Sequence, residues 1–179
     1  FRILEEVYVE DMGLEMHINK NLRPALMKSE YMGLPVLIIG DPAGRAKDTL
    51  YEETSFDLLK RAGFSAFPAS TNNPDPRLRA IEAWLLRQVG GEPAMPINID
   101  RCPMLLRGLN GGYRYAFTRS GDRRPTPDKN SKYSHICDAL QYACLASHGN
   151  DGGMIPMFVR SLQRRKSHRK PKFSAAAWT

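Results

Sequence analysis

Leu34-Pro35-Val36-Leu37-Ile38-Ile39-Gly40-Asp41-Pro42-Ala43-Gly44 decides how this chain is read. Residues 36–39 form a short unbroken apolar run, the pattern of a strand inside a sheet covered on both faces. The run ends in Gly-Asp-Pro, which puts a carboxylate, Asp41, at the carboxyl end of that strand. Ligands of open α/β sheets sit beyond those ends. Gly40 and Gly44 are expected to serve the backbone of the tight turn around Asp41.

Outward from this run, strands and helices alternate. Residues 1–9, with Ile3, Val7, Tyr8 and Val9, read as a strand. Leu14, Ile18, Leu22 and Leu26 recur at helical spacing over residues 14–31, with Pro24 a kink or break. Residues 51–62 read as an amphipathic helix closed by Gly63, and residues 64–69 as the next strand. Asp75-Pro76 supplies a cap and a first-position proline for a helix running to about Gln88. A weak strand is expected over 95–99, a helical turn over 103–107 and an extended ribbon over 111–117. A polar loop then covers 118–132. This alternation predicts an α/β fold with a mainly parallel sheet.

The second acid lies in Ser131-Lys132-Tyr133-Ser134-His135-Ile136-Cys137-Asp138-Ala139-Leu140-Gln141-Tyr142-Ala143-Cys144-Leu145. Ser134 is a natural N-cap, which makes Asp138 the fourth residue of an otherwise apolar helix. A carboxylate there either complements the positive end of the helix dipole or holds a cation. Paired with Asp41, it suggests a divalent-metal site. Magnesium and manganese both suit oxygen ligands, and two such ions clamp the attacking and leaving oxygens of a phosphodiester. Carboxylates sharing that site are expected within about 8 Å of each other.

The chain has 179 residues, 42% hydrophobic and 25% charged, ordinary for a globular domain with a real core. No apolar run approaches the ~20 residues that span a bilayer. The N-terminus lacks the pattern of a signal peptide, and a first residue of Phe is expected of a fragment or a processed product. Three cysteines without a Cys-x-x-Cys spacing fit a reducing compartment. Cys137 and Cys144, seven apart on one helix, are separated by about 10 Å along its axis, too far for a disulfide. The net charge is +7. Seven basic residues against Asp151 in 151–179 leave +1 for the first 150 residues, so the tail is polybasic. Such a tail fits a phosphate backbone or an acidic partner, and its composition predicts poor order when unbound.

Read in order, Gly40-Asp41-Pro42-Ala43-Gly44, Ala62-Gly63-Phe64, Ser70-Thr71-Asn72-Asn73, Gly108-Leu109-Asn110-Gly111-Gly112-Tyr113-Arg114-Tyr115, Pro127-Asp128-Lys129-Asn130 and Tyr133 through Tyr142 resemble the C-terminal nuclease domain of tailed-phage terminase large subunits. The likeness covers roughly residues 1–147. It implies a ribonuclease H-like mixed sheet flanked by helices, and metal-dependent cleavage of double-stranded concatemeric DNA during genome packaging. Asp41 and Asp138 match two of the three acids that hold Mg²⁺ or Mn²⁺ in that family. The remaining acid belongs on an upstream strand, so the resemblance implies that the first, central strand is missing from this chain. Glu10 and Asp11 are expected to point away from Asp41 and not to replace it. Residues 1–150 are thus expected to form an N-terminally incomplete nuclease domain, and 151–179 a flexible basic tail. The implied partners are double-stranded DNA, an upstream ATPase domain of the same polypeptide, the portal protein and the small terminase subunit. The implied location is the host cytoplasm, in an assembling packaging motor.

Other residues carry a functional and a plain reading side by side. His135, three before Asp138 on roughly the same face, either steers a phosphate or is a surface polar group. Lys129 and Lys132 approach Asp138 and, with Arg45, Lys47 and Arg114, are candidates for DNA contact or simple solvation. Tyr113 and Tyr115 either flank a backbone-contacting Arg114 or pack in a hairpin. Residues 40–49 lack the spacing of a phosphate-binding loop, so an ATPase site is not expected. The alternatives to a nuclease are a non-catalytic DNA- or portal-docking module with an incomplete metal site, and a small-ligand α/β domain built on the Asp41 turn.

Overall fold

The computed structural model describes residues 1–46 and 53–147. The expected apolar strand is β1, Leu37–Gly40, and it pairs in parallel with β2, Ser65–Pro68, from Leu37 opposite Ser65 to Gly40 opposite Pro68. Helix α3, Ser55–Arg61, lies between them in sequence, giving the crossover that a parallel pair requires. Thr54 starts α3 with a capping box. Its hydroxyl accepts from the Asp57 N–H at 3.1 Å, and the Asp57 carboxylate reaches back to the Thr54 N–H. Gly63, at φ +91°, closes the helix. Every residue of β1 is only half-buried, because β2 is its sole ladder partner among the described residues. The sheet is therefore not mainly parallel. The described strands form one parallel pair and two antiparallel ones, a mixed α/β arrangement.

The remaining elements follow the expected order with specific corrections. Residues 14–26 are continuously helical as α1, Leu14–His17, a π-turn, Ile18–Leu22, and α2, Arg23–Leu26. The wide turn directly before Pro24 accommodates the missing N–H, so the proline does not break the helix. Helix α4, Pro74–Leu86, is capped by Asn73 rather than Asp75, whose N–H donates to the Asn73 side chain at 3.2 Å. A small hairpin, β3 Gln88–Val89 and β4 Glu92–Pro93, follows it. Residues 1–9 make no regular strand. Ile3 forms an isolated parallel bridge with Ile97, which is also all that remains of the expected strand at 95–99. Glu6 then turns its carboxylate to the Met104 and Leu105 N–H groups, both at 2.8 Å, and so serves the start of α5, Pro103–Arg107.

The polar loop expected over 118–132 contains a strand. β5, Tyr115–Phe117, pairs antiparallel with β6, Arg123–Pro127, and the Arg123 guanidinium lies 3.6 Å from the Tyr115 ring centroid. Helix α6, Ser134–Ser147, comes next and packs on α4, α5 and β1. It begins at Ser134, whose buried hydroxyl lies toward the Lys129 carbonyl at 3.4 Å, so Asp138 is its fifth residue. Two apolar clusters hold the fold. One joins Ala80 and Ile81 of α4, Met95, Cys102, Leu105 of α5, and Cys137, Leu140 and Cys144 of α6. The other packs Ile18, Phe56, Leu59 and Ala66 beneath β1 and β2. No helix among the described residues is long and apolar enough to cross a membrane. The tail at 151–179 lies outside the described residues.

All three cysteines are free and buried. Burial pushes the Cys137 thiol up to about 11 and the Cys144 thiol up to about 12. At pH 8 a thiol of pKa about 11 is ionised in roughly one molecule in a thousand. The expected result is negligible reaction of the native protein with an aromatic disulfide reagent, and release of three equivalents on unfolding. A rapid stoichiometric reaction in the native state would contradict this core.

Candidate functional site

The site is assembled around an arginine. Arg77, in the first turn of α4, is 4% exposed. Its Nη1 donates to the Asn72 carbonyl and the Tyr142 hydroxyl, both at 3.2 Å. Nη2 donates to Gln141 Oε1 at 2.8 Å and forms an ion pair with Asp138 Oδ1. The guanidinium also stacks over the Tyr142 ring, 4.3 Å from its centroid. Nε alone lacks a partner among the described residues. A buried guanidinium requires this density of acceptors, because desolvating an unpaired charge costs several kcal/mol. Asp138, Gln141 and Tyr142 lie at i, i+3 and i+4 on α6, so one helical face supplies all three.

Tyr142 extends the network to the other acid. Its hydroxyl, accepting from Arg77, donates to Asp41, which follows β1 directly. Burial first, then that bond to Asp41, raises the Tyr142 hydroxyl well above its ordinary range. Asp41 also caps the turn Pro42–Arg45, accepting from the Ala43 N–H at 2.9 Å. Gly40 and Gly44 are not at positive φ, so the reading of backbone freedom is corrected. A Cβ on Gly40 or Gly44 would lie 3.3 or 3.2 Å from the Phe56 ring, and close packing on α3 is what excludes a side chain.

Asp138 is fully engaged. Oδ1 receives Arg77 and the Tyr113 hydroxyl, the latter at 3.0 Å, and Oδ2 receives the Lys129 ammonium. Tyr113 reaches it because the chain over 108–112 makes a π-turn with Gly111 at φ +106°. A Cβ on Gly108 would collide with Cys137 and one on Gly112 with the Tyr133 ring, so both glycines are needed for the close approach to α6. Burial pushes the Tyr113 hydroxyl up to about 12, keeping it a neutral donor to Asp138.

The structure brings Asp41, Asp138 and Lys129 into one network. Lys132 lies over the Tyr133 ring at 5.4 Å, and His135 is exposed on the first turn of α6. Both line a cavity of about 630 Å³ with Lys129, Glu10 and Asp11, beside the two acids rather than between them. Arg45 and Arg114 are exposed at the turn after β1 and beside Tyr113. Lys47 lies outside the described residues. Among the described residues no three His, Cys, Asp or Glu side chains converge to hold a metal ion. With Asp138 already accepting from two cations and a hydroxyl, the residues present do not, as arranged, fit a divalent cation. Sequence reasoning missed Arg77, Gln141 and Tyr142. The only sequence signal for them is an arginine opening α4 opposite a helix with polar residues at i, i+3 and i+4.

Removing the buried cation orphans three acceptors at once. Arg77→Met is expected to destabilise the fold by about 3 kcal/mol, against at most about 1 kcal/mol for Lys129→Met, whose pair is exposed. Urea unfolding followed by circular dichroism checks the order. Equal effects would contradict the central role of Arg77.

No family model matches the chain, and no curated protein does. Among solved structures the chain is similar to the g2p (large terminase) nuclease domain from the bacteriophage SPP1, a crystal structure with bound Mn. The identity is 22% and the TM-score 0.45, over 79% of this chain and 69% of that one. The manganese belongs to that protein. No such ion is part of the structure described above.

Proposed function

We propose that this chain contributes the greater part of a ribonuclease H-like endonuclease domain that cleaves double-stranded DNA, in the manner of terminase large subunits. One observation carries the reading: Arg77 and Tyr142 gather Asp41, at the carboxyl end of β1, and Asp138, on α6, into a single hydrogen-bonded network. These are the two acids that the motif resemblance singles out, and nearly 100 residues separate them in sequence. The strand-end position of Asp41 is where α/β sheets place ligands. Completing a site for Mg²⁺ or Mn²⁺ takes at least one more acid from outside the described residues.

In this reading the chain's own residues do three things. Asp41 and Asp138 present carboxylate oxygens at one edge. Tyr113 and Tyr142, held neutral by burial, orient them without adding charge. Lys132, His135, Arg45, Lys47 and Arg114 supply cations or donors for DNA phosphates around that edge. A second reading, a docking module for DNA or a portal protein, is favoured by one fact. The charge of Asp138 is already balanced inside the protein by Arg77 and Lys129.

A longer native polypeptide that includes an upstream acid is expected to nick plasmid DNA with Mg²⁺ or Mn²⁺. Asp41→Asn or Asp138→Asn is expected to lower the rate at least 100-fold, and the 179-residue chain alone to be much weaker. Cutting that survives either substitution excludes that residue from the site. A long polypeptide that binds DNA but never cuts it leaves the docking reading.

The basic tail gives a separate test. If it contacts phosphates, deleting 154–179 flattens the dependence of log affinity on log salt by up to about 0.9 per lost contact. An unchanged slope points instead to an acidic protein partner.

A further inference from the structure

We infer that Lys129 is a tethered counter-ion that closes Asp138 to divalent cations, so that Asp138 takes such a cation only when this ammonium leaves. The inference rests on reading Asp138 as a cation ligand, and it deepens that reading by naming what competes for the site. The two oxygens of Asp138 are held unequally. Oδ1 faces Arg77 and Tyr113. Arg77 is 4% exposed and tied down by Asn72, Gln141, the Tyr142 hydroxyl and the Tyr142 ring, so it cannot leave without opening the α4–α6 interface.

Oδ2 receives only Lys129, whose side chain is 55% exposed and has no other recorded bond. The backbone around Lys129 is independently anchored. The Asp128 N–H donates to the Arg114 carbonyl at 2.8 Å, the Asn130 N–H donates to the Asp128 carboxylate at 3.0 Å, and the Ser134 hydroxyl meets the Lys129 carbonyl. Departure of the ammonium is therefore a rotation about its own side-chain bonds and needs no loop rearrangement. An exposed ion pair of this kind is worth a factor of at most about five in an equilibrium constant, an amount that an incoming divalent cation offsets. While the ammonium stays, it also repels any cation approaching the same oxygen. An ordinary lysine, solvated or touching a phosphate, would not close the one oxygen of Asp138 that Arg77 and Tyr113 leave free.

The test is Mn²⁺ binding to the full chain, followed by the electron paramagnetic resonance signal of the free ion, so no DNA cleavage enters the measurement. Lys129→Met is expected to bind Mn²⁺ roughly tenfold more tightly than the wild-type chain, from the released pair and the removed repulsion. Lys129→Arg, which keeps the charge, is expected to remain as weak as wild type. The double variant Lys129→Met with Asp138→Asn is expected to lose the gain. Thermal unfolding confirms that each variant is folded. Equal affinity of wild type and Lys129→Met overturns the inference, as does a gain that persists when Asp138 is replaced. Failure of the nuclease reading shows in the plasmid assay instead, so the two outcomes are separable.

Discussion

The structure depends on one buried positive charge. Arg77 sits at the start of α4 with almost no exposure, and a guanidinium cannot be neutralised by losing a proton. It must be surrounded by acceptors, and α6 provides them on a single face as Asp138, Gln141 and Tyr142. The requirement sets the register between the two helices. It also sets the rotamer of Tyr142, and through the Tyr142 hydroxyl it ties the turn after β1 to α6. The apolar contacts of Ala80, Ile81, Cys137, Leu140 and Cys144 supply most of the burial at this interface, but they would tolerate small slips that the charged network does not.

The same network creates a tension at Asp138. A carboxylate that balances a buried arginine is a structural group, and a carboxylate that binds substrate or a cation must have an oxygen to spare. The geometry divides the two roles between the two oxygens. Oδ1 belongs to the interior through Arg77 and Tyr113, and Oδ2 faces an exposed lysine. The glycines at 108 and 112 belong to this arrangement, since they let the chain pass close enough to α6 for Tyr113 to reach Oδ1. Substituting either is thus a change at the acid as well as a packing fault.

Much of the fold was legible. The apolar run at 36–39, the Thr54 and Gly63 boundaries and the long amphipathic helices carry local signals that survive in the structure, because capping and periodicity act over a few residues. Three readings failed for tertiary reasons. Residues 1–9 have the composition of a strand, but an extended segment becomes one only beside a free edge, and here it makes a single bridge at Ile97. Arg123-Arg124-Pro125-Thr126-Pro127 looks like loop, yet pairing with β5 and the contact of Arg123 with Tyr115 make it a strand. Gly40 and Gly44 suggested backbone freedom, whereas the Phe56 ring is what requires them.

The sequence by itself determined that an acid follows an apolar strand, that a second acid rides an apolar helix, and that the order of motifs resembles a terminase nuclease domain. These are local properties of composition, spacing and order. Only the tertiary structure decided what the acids touch. Arg77 lies 61 residues from Asp138 and has no periodic relation to it, so nothing in the chain's local pattern marks the pair. Whether Asp138 is a bare ligand or a counter-ion depends on the desolvation of that distant arginine, and desolvation is a property of the packed interior rather than of any stretch of sequence.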